Sequence, residues 1–275
     1  MTEQRDHAEQ FRKLHFAEGL LVLPNAWDAG SAVIFQKAGF SAIGTTSAGI
    51  AYSLGYPDGE QIGFEDVLEC VKRILKRITI PLSIDLETGY STDIGQVAEN
   101  VRQVIELGAV GINIEDGITK PSPGLSDLGK QLELLQALSA LRQELEIPFV
   151  INARTDTCWL GLSDAETRLA LTLERSRAYA DAGADCIFVP GKLSRETIQT
   201  LVKEMSVPLN VIAVPDGLRV RELESLGVAR LSLGSGPVRA SLGITQNIAN
   251  ELKKGVFESI AENALSYDAA NRLFS

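Results

Sequence analysis

The chain has 275 residues, 45% hydrophobic and 23% charged, with a net charge of −10. That is the composition of a soluble globular protein with room for one large domain or two small ones. The acidic balance argues against nucleic acid, whose binders carry a basic face. No apolar run is long enough to cross a bilayer, and the opening MTEQRDHAEQ lacks the apolar centre of a signal peptide, so a cytoplasmic protein is expected.

Residues 1–19 read as a helix that precedes the first strand. Eight short apolar runs then recur as strands: 20–25 (LLVLPN), 41–47 (SAIGTTS), 81–87 (PLSIDLE), 110–115 (VGINIE), 148–154 (PFVINAR), 185–190 (DCIFVP), 208–214 (PLNVIAV) and 229–234 (ARLSLG). Helical periodicity fills the gaps. Phe64, Val67, Leu68, Val71, Ile74, Leu75 and Ile78 share one face, as do Ile94, Val97, Ala98, Val101, Val104 and Ile105. Leu132, Leu135, Leu138 and Leu141 mark a further helix, and SDAE predicts one over 163–182, with Ser163 as N-cap and Glu166 completing a capping box.

The punctuation alternates. Gly39, Gly108, Gly183 and Gly227 precede strands two, four, six and eight, as left-handed helix ends do. Pro81, Pro148 and Pro208 open strands three, five and seven. The pattern is a repeated βαβα unit and predicts a single (β/α)8 barrel domain over 1–275: an N-terminal helix at 1–19, barrel strands and helices at 20–234, and C-terminal helices at 235–275. A doubly wound open sheet is the alternative, but its GxGxxG turn is absent.

A barrel of this kind carries its active site at the C-terminal ends of the strands. Those ends supply Thr45, Thr46 and Ser47, then Asp85 and Glu87, then Asn113, Glu115 and Asp116, then Asn152, Arg154 and Asp156, with Asn210 at the start of strand seven. Strand alternation puts Asp85 and Glu87 on one face. Acids crowded at one rim repel each other unless a cation lies between them, and an oxygen-only ligand set suits Mg²⁺ or Mn²⁺ rather than zinc. Arg154 suits a substrate carboxylate or phosphonate. The plainer alternatives are a loop cap or surface ion pair for the acids, an ion pair with Asp156 or Glu115 for Arg154, a hydroxyl-rich turn for TTSAG and a turn position for Asp58. Only His7 and His15 occur, both near the N-terminus, and Cys70, Cys158 and Cys186 are scattered. A Ser-His-Asp triad, a Cys-His pair or a zinc site in the barrel is therefore not expected.

GTTSAGIAYSLGYPD, SIDLETGY, INIED and NARTD, in that order, resemble the isocitrate lyase/phosphoenolpyruvate mutase superfamily. The resemblance covers about residues 20 to 235 and implies a (β/α)8 barrel whose last helix is exchanged between subunits of a homodimer or homotetramer. It implies Mg²⁺ (or Mn²⁺) on Asp85, with Glu87 and Glu115 acting through water, and a small α-oxo acid whose bond is made or broken beside a metal-stabilised enolate. Thr46, Ser47 and Ala48 would hold the substrate carboxylate; Arg154 and Asn210 would bind the substrate; Asp58 would sit near the metal or a gating loop.

Two departures from the family pattern narrow the reading. Glu87 stands where many members have a second aspartate. The loop after strand four, DGITKPSPGLSDL, has neither the Lys-Lys-Cys-Gly-His of the lyases nor the Lys and Asn-Ser of the phosphonomutases. Lys120 takes the place of the loop lysine, or is a solvated loop residue. Without the cysteine, cleavages that need a proton on the leaving carbon are disfavoured, whereas decarboxylation releases CO₂ without one. The expectation is an oxaloacetate decarboxylase-like lyase of the cysteine-loop-lacking branch, acting on an α-oxo or 2-hydroxy dicarboxylate. Phosphonomutase or phosphonopyruvate hydrolase chemistry comes second, and a catalytically weak oxo-acid-binding paralogue third.

Overall fold

The computed structural model describes residues 2–118, 122–161 and 163–275. Nine parallel strand segments form one sheet, and the two at its ends are consecutive pieces of a single strand. This strand, β1, runs through Leu21–Leu23 and Asn25–Ala26 with Pro24 between them. Its first piece pairs with β8 (Arg230–Ser232) and its second with β2 (Ile43–Thr45), so the sheet closes on itself and the open-sheet alternative falls. Pro24 cannot donate to the ladder. Its carbonyl still accepts from Gly44 N–H at 2.9 Å.

The remaining strands follow in chain order: β3 (Leu82–Asp85), β4 (Gly111–Glu115), β5 (Val150–Arg154), β6 (Cys186–Val189) and β7 (Leu209–Ile212). Each lies inside its predicted run and stops earlier at the C-terminal end in several cases, although single backbone bonds continue beyond, as from Leu86 N–H to the Asn113 carbonyl at 3.0 Å and from Ala213 N–H to the Ser232 carbonyl at 2.8 Å. A small antiparallel hairpin, Gly117–Ile118 with Gly124–Leu125, follows β4. The four predicted glycine helix ends all adopt positive φ, from 83° at Gly227 to 120° at Gly108. One cap differs from expectation. Helix α8 (Ala165–Asp181) is capped by Asp164 rather than Ser163, because the Asp164 carboxylate accepts from both Glu166 and Thr167 N–H.

Helix α1 (Thr2–Leu14) closes the N-terminal end of the barrel. Phe11 is fully buried there, and a Cβ on Gly111 at the start of β4 would lie 2.6 Å from its ring, so glycine makes room for the aromatic. Arg12 pairs with Asp185 at 2.5 Å, and Arg142 pairs with the same carboxylate. His15 follows α1 and is also buried. Its Nδ1 donates to the Phe11 carbonyl at 2.8 Å, leaving Nε2 to accept from Arg230 at 3.5 Å.

Burial, reinforced by the Arg230 charge, depresses the His15 pKa to about 3. The unfolded chain takes up a proton near pH 6.5 and the folded one does not, so His15 removes stability as the pH falls from 6.5 toward 3. The expected result is that His15→Phe flattens the dependence of urea-unfolding free energy on pH between 6.5 and 4.5 by about 1.4 kcal/mol per pH unit relative to wild type. An unchanged slope would show that His15 titrates alike in both states.

After β8 the chain forms α11 (Gly236–Leu252), α12 (Glu258–Asn263) and α13 (Tyr267–Phe274). The last returns to α2 (Ala29–Lys37), where Lys37 Nζ donates to the Arg272 carbonyl at 3.0 Å. No helix among the described residues is long and apolar enough to cross a membrane.

Candidate active site

Asp85 ends β3 and is fixed from three sides. Ser47 donates to its Oδ2 through backbone N–H (3.0 Å) and Oγ (2.8 Å), and Asn113 Nδ2 donates to Oδ1 at 2.8 Å. Asn152 on β5 donates in turn to Asn113 Oδ1 at 2.8 Å, so two neighbouring strands orient one carboxylate. The TTSAG stretch divides its labour. Thr45 Oγ1 accepts from Asp85 N–H at 2.8 Å, while Thr46 caps α3 (Ser47–Ser53) through a 3.3 Å bond from Gly49 N–H. Of the three residues expected to hold substrate here, Thr46 has its hydroxyl in the cap, Ser47 is engaged with Asp85, and Ala48 lines the cavity.

Glu87 reaches the site by a different route from the strand alternation expected. The strand stops at Asp85, and Glu87 turns to φ 50°, with Glu60 at 52° and Tyr90 at 59°. Left-handed conformations at non-glycine residues cost about 1–2 kcal/mol each and persist where the surroundings over-determine them. Here they do. Glu87 Oε2 accepts from Glu60 N–H (2.9 Å), Oε1 accepts from Tyr90 O–H (3.1 Å), and the Glu87 carbonyl accepts from Glu115 N–H (2.8 Å). Glu60 Oε1 accepts from Thr88 N–H, Thr88 Oγ1 and Tyr90 N–H at 2.7–3.0 Å. The loop carrying Asp58 is thereby pinned to SIDLETGY. Gly89 cannot be replaced cheaply, because its φ is 105° and a Cβ would fall 2.4 Å from Val97.

Arg154 ends β5 and pairs with Glu115 at 2.6 Å and with Asp156 through two bonds of 2.6 and 2.9 Å. Its guanidinium also lies 5.9 Å from the Trp159 ring and 5.8 Å from Phe188. The ion-pair reading of Arg154 is therefore correct, and the residue still borders the cavity. Asp116 is fully buried and serves structure. It accepts from Thr155 Oγ1, Asp156 N–H, Arg175 and Tyr179 O–H.

The cavity at the barrel mouth has two chambers. The outer, about 470 Å³, is bordered by Asp58, Glu60, Glu87, Glu115, Arg154 and Trp159. The inner, about 100 Å³, lies under Asp85 and reaches Asn25, Ser83, Arg230 and Ser232; Ser47, Asp58, Arg154 and Trp159 border both. Asn210 is fully buried beside the inner chamber, its Oδ1 accepting from Ser232 Oγ at 3.1 Å and its Nδ2 without a partner. Lys120 lies outside the described residues. Sequence reasoning missed Glu60, Tyr90, Trp159 and Arg230. None sits at a strand end of the right register, and only the fold brings Glu60 and Trp159 to the outer chamber, Tyr90 to Glu87 and Arg230 to the inner chamber.

The electrostatics point one way. Asp58, Asp85, Glu87, Glu115 and Asp156 surround the mouth, with Arg154 paired among them and Lys130 at the border of the outer chamber. Burial, then the Asp85 charge, raises the Asp58 pKa. Burial, then Asp85, Asp58 and Glu60, pushes Glu87 to about 8. Burial raises Glu115 and Asp156 against the pull of Arg154. Burial works against the Arg154 charge, yet Glu115 and Asp156 outweigh it and raise its pKa. Such mutual repulsion among oxygen donors fits a hard divalent cation. Among the described residues no three of these groups close on one point as a complete ligand set. Asp85 fits direct contact, while Glu87 and Glu115, each tied to its own partners, fit contact through water.

Residues 11–253 match the family described as phosphoenolpyruvate phosphomutase. The whole chain superposes on 98% of a Burkholderia cenocepacia J2315 protein provisionally described as a lyase/mutase, with TM-score 0.92 and 35% identity. A 2-methylisocitrate lyase of Bacillus subtilis (strain 168) is 31% identical over 212 residues, 76% of this chain and 67% of the relative. An oxaloacetate acetylhydrolase solved with its product oxalate matches 98% of this chain and 93% of its own at TM-score 0.85 and 26% identity. The ordered strand-end motifs, the closed barrel and a match over most of the length agree, and the chain belongs to the phosphoenolpyruvate phosphomutase family of the isocitrate lyase/phosphoenolpyruvate mutase superfamily.

Proposed function

We propose that this protein is a Mg²⁺- or Mn²⁺-dependent carbon–carbon lyase acting on a small α-oxo or 2-hydroxy dicarboxylate. The observation that carries the reading is Asp85, oriented by Ser47 and Asn113 at a mouth crowded with carboxylates. The 2-methylisocitrate lyase and oxaloacetate acetylhydrolase relatives support the bond class.

Asp85 would hold the cation directly, and Glu87 and Glu115 through water. The bound cation would supply Lewis-acid polarisation of the substrate's oxo group. The chain's own residues do the rest. Ser47 and the amide chain from Asn152 keep Asp85 in one orientation. Arg154 presents a guanidinium to the substrate carboxylate from a setting that Glu115 and Asp156 pre-organise. Trp159 and Phe188 flank it, their rings 5.9 and 5.8 Å from the guanidinium. In decarboxylation the C3–C4 electron pair of oxaloacetate passes toward the C2 oxo group, CO₂ departs, and solvent protonates C3. That sequence needs no side-chain acid on the leaving carbon.

The test is turnover with Mg²⁺ on oxaloacetate, isocitrate, methylisocitrate and phosphonopyruvate, following pyruvate, glyoxylate and phosphate. Oxaloacetate cleavage above the free-Mg²⁺ rate is expected. Phosphate release from phosphonopyruvate would move the protein to phosphonate chemistry. Absence of turnover with oxo-acid-dependent thermal stabilisation would make it a binding protein.

The same reading includes self-association through the C-terminal helices. Helices α11 to α13 bury Val238 alone, while Leu252, Phe257, Leu265 and Tyr267 stand 54–83% exposed. A strap this apolar fits burial against a second copy. Light scattering is expected to give a dimer or tetramer for the full chain and a monomer after removal of residues 236–275. A monomeric full chain would contradict this.

A further inference from the structure

Arg230 has no place in the chemistry above. It opens β8 with its side chain in the barrel interior and is 3% exposed. Every other substantially buried arginine has a carboxylate within 4 Å: Arg154 has Glu115 and Asp156, Arg175 has Asp116, and Arg142 has Asp185. Arg230 has none among the described residues. Its Nε donates to Ser232 Oγ at 3.3 Å and its Nη1 to His15 Nε2 at 3.5 Å. His15 is neutral, so it positions the guanidinium without balancing it. Burial accounts for the fall of the Arg230 pKa to about 10, against the opposing influences of Cys186 and then Asp85.

A buried cation without a partner is costly, and proteins retain one where something else supplies the counter-charge. The inner chamber supplies the place. Arg230 and Ser232 line it together with Asp85, and it shares Ser47, Asp58, Arg154 and Trp159 with the outer chamber. Next to it, Asn210 keeps a buried Nδ2 donor with no acceptor. An unbalanced guanidinium bordering the recess, with an unsatisfied donor on Asn210, its ladder neighbour on β7, calls for an acceptor-only anionic group of carboxylate size.

We propose that Arg230, with Asn210 and Ser232, forms the recess that holds the second carboxylate of a dicarboxylate substrate, making it the specificity-determining residue for diacids over monoacids. The proposal rests on the oxo-acid lyase reading for the other end of the ligand. It also explains the placement of His15, whose Nδ1–H tautomer presents Nε2 to the guanidinium.

The experiment is calorimetric titration of the Mg²⁺-loaded protein with malate and with 2-hydroxybutyrate, which replaces the distal carboxylate by methyl. Wild type is expected to prefer malate by about tenfold or more, and Arg230→Met to bind the two within about twofold while its affinity for 2-hydroxybutyrate stays the same. Arg230→Lys keeps a cation and should retain most of the preference. Ligand-free Arg230→Met should melt no lower than wild type, because it removes an unbalanced buried charge. A preference that survives in Arg230→Met, equal or absent binding of the two acids by wild type, or an Arg230→Met protein that melts lower or fails to fold would each overturn the proposal. The lyase reading fails separately, if Asp85→Asn binds both acids as wild type does.

Discussion

Arg154→Met is expected to lower kcat/KM by about 10²–10³-fold and to cost about 3–5 kcal/mol of stability. Both effects share a cause. The guanidinium is the cation that Glu115 and Asp156 are buried against, at 2.6 Å each, and its removal leaves two desolvated carboxylates with nothing to balance them. Their pKa values, already raised by burial, lose the one influence that lowers them. The variant should therefore take up protons at Glu115 and Asp156 at higher pH than wild type does. Arg154→Lys retains the charge but not the two-pronged bond to Asp156, so it should recover most of the stability and little of the rate. Steady-state kinetics and urea unfolding on the three proteins check this, and loss of rate without loss of stability would contradict the dual role.

Asp85→Asn is expected to reduce metal-dependent turnover by about 10³-fold, since several kcal/mol of charge stabilisation depend on the metal's anchor. Its effect on stability should run the other way. Asp85 repels Asp58, Glu87, Glu115 and Asp156, and removing its charge relieves all four. The metal-free variant should be at least as stable as metal-free wild type by urea unfolding, although the amide cannot accept all three bonds that Ser47 and Asn113 now donate. A clear loss of stability in Asp85→Asn would mean that the carboxylate is there to satisfy Ser47 and Asn113 rather than to meet a cation. Such an opposition between stability and function, if measured, would be the mark of a residue arranged for a ligand.

The fold was legible because its signals are local and repeated. Each apolar run is bounded by a glycine that must turn left-handed or a proline that cannot donate, and both constraints act within a few residues. The N-cap at Asp164 was misplaced by one position because Ser163 and Asp164 both can cap, and the sequence does not say which carbonyl starts the helix. Asp85, Glu115 and Arg154 could be placed at the mouth because strand ends in a barrel face one way, and they border the cavity there. The conformation of Glu87 was not, since the period-two rule stops with the strand and Glu87 is set by Glu60, twenty-seven positions away. Arg230 was passed over for a similar reason. An arginine in ARLSLG reads as a strand-edge charge until closure of β8 against β1 puts it inside the barrel.

Under the proposed function, the acids at the mouth surround a divalent cation anchored by Asp85. Titrating metal-free protein with Mn²⁺, followed by electron paramagnetic resonance of the free ion, measures it without reference to any substrate. One ion per chain is predicted for wild type, with affinity at least about 100-fold weaker in Asp85→Asn, in line with the loss of a charged ligand. Equal binding by the two proteins, or none by wild type, would contradict it.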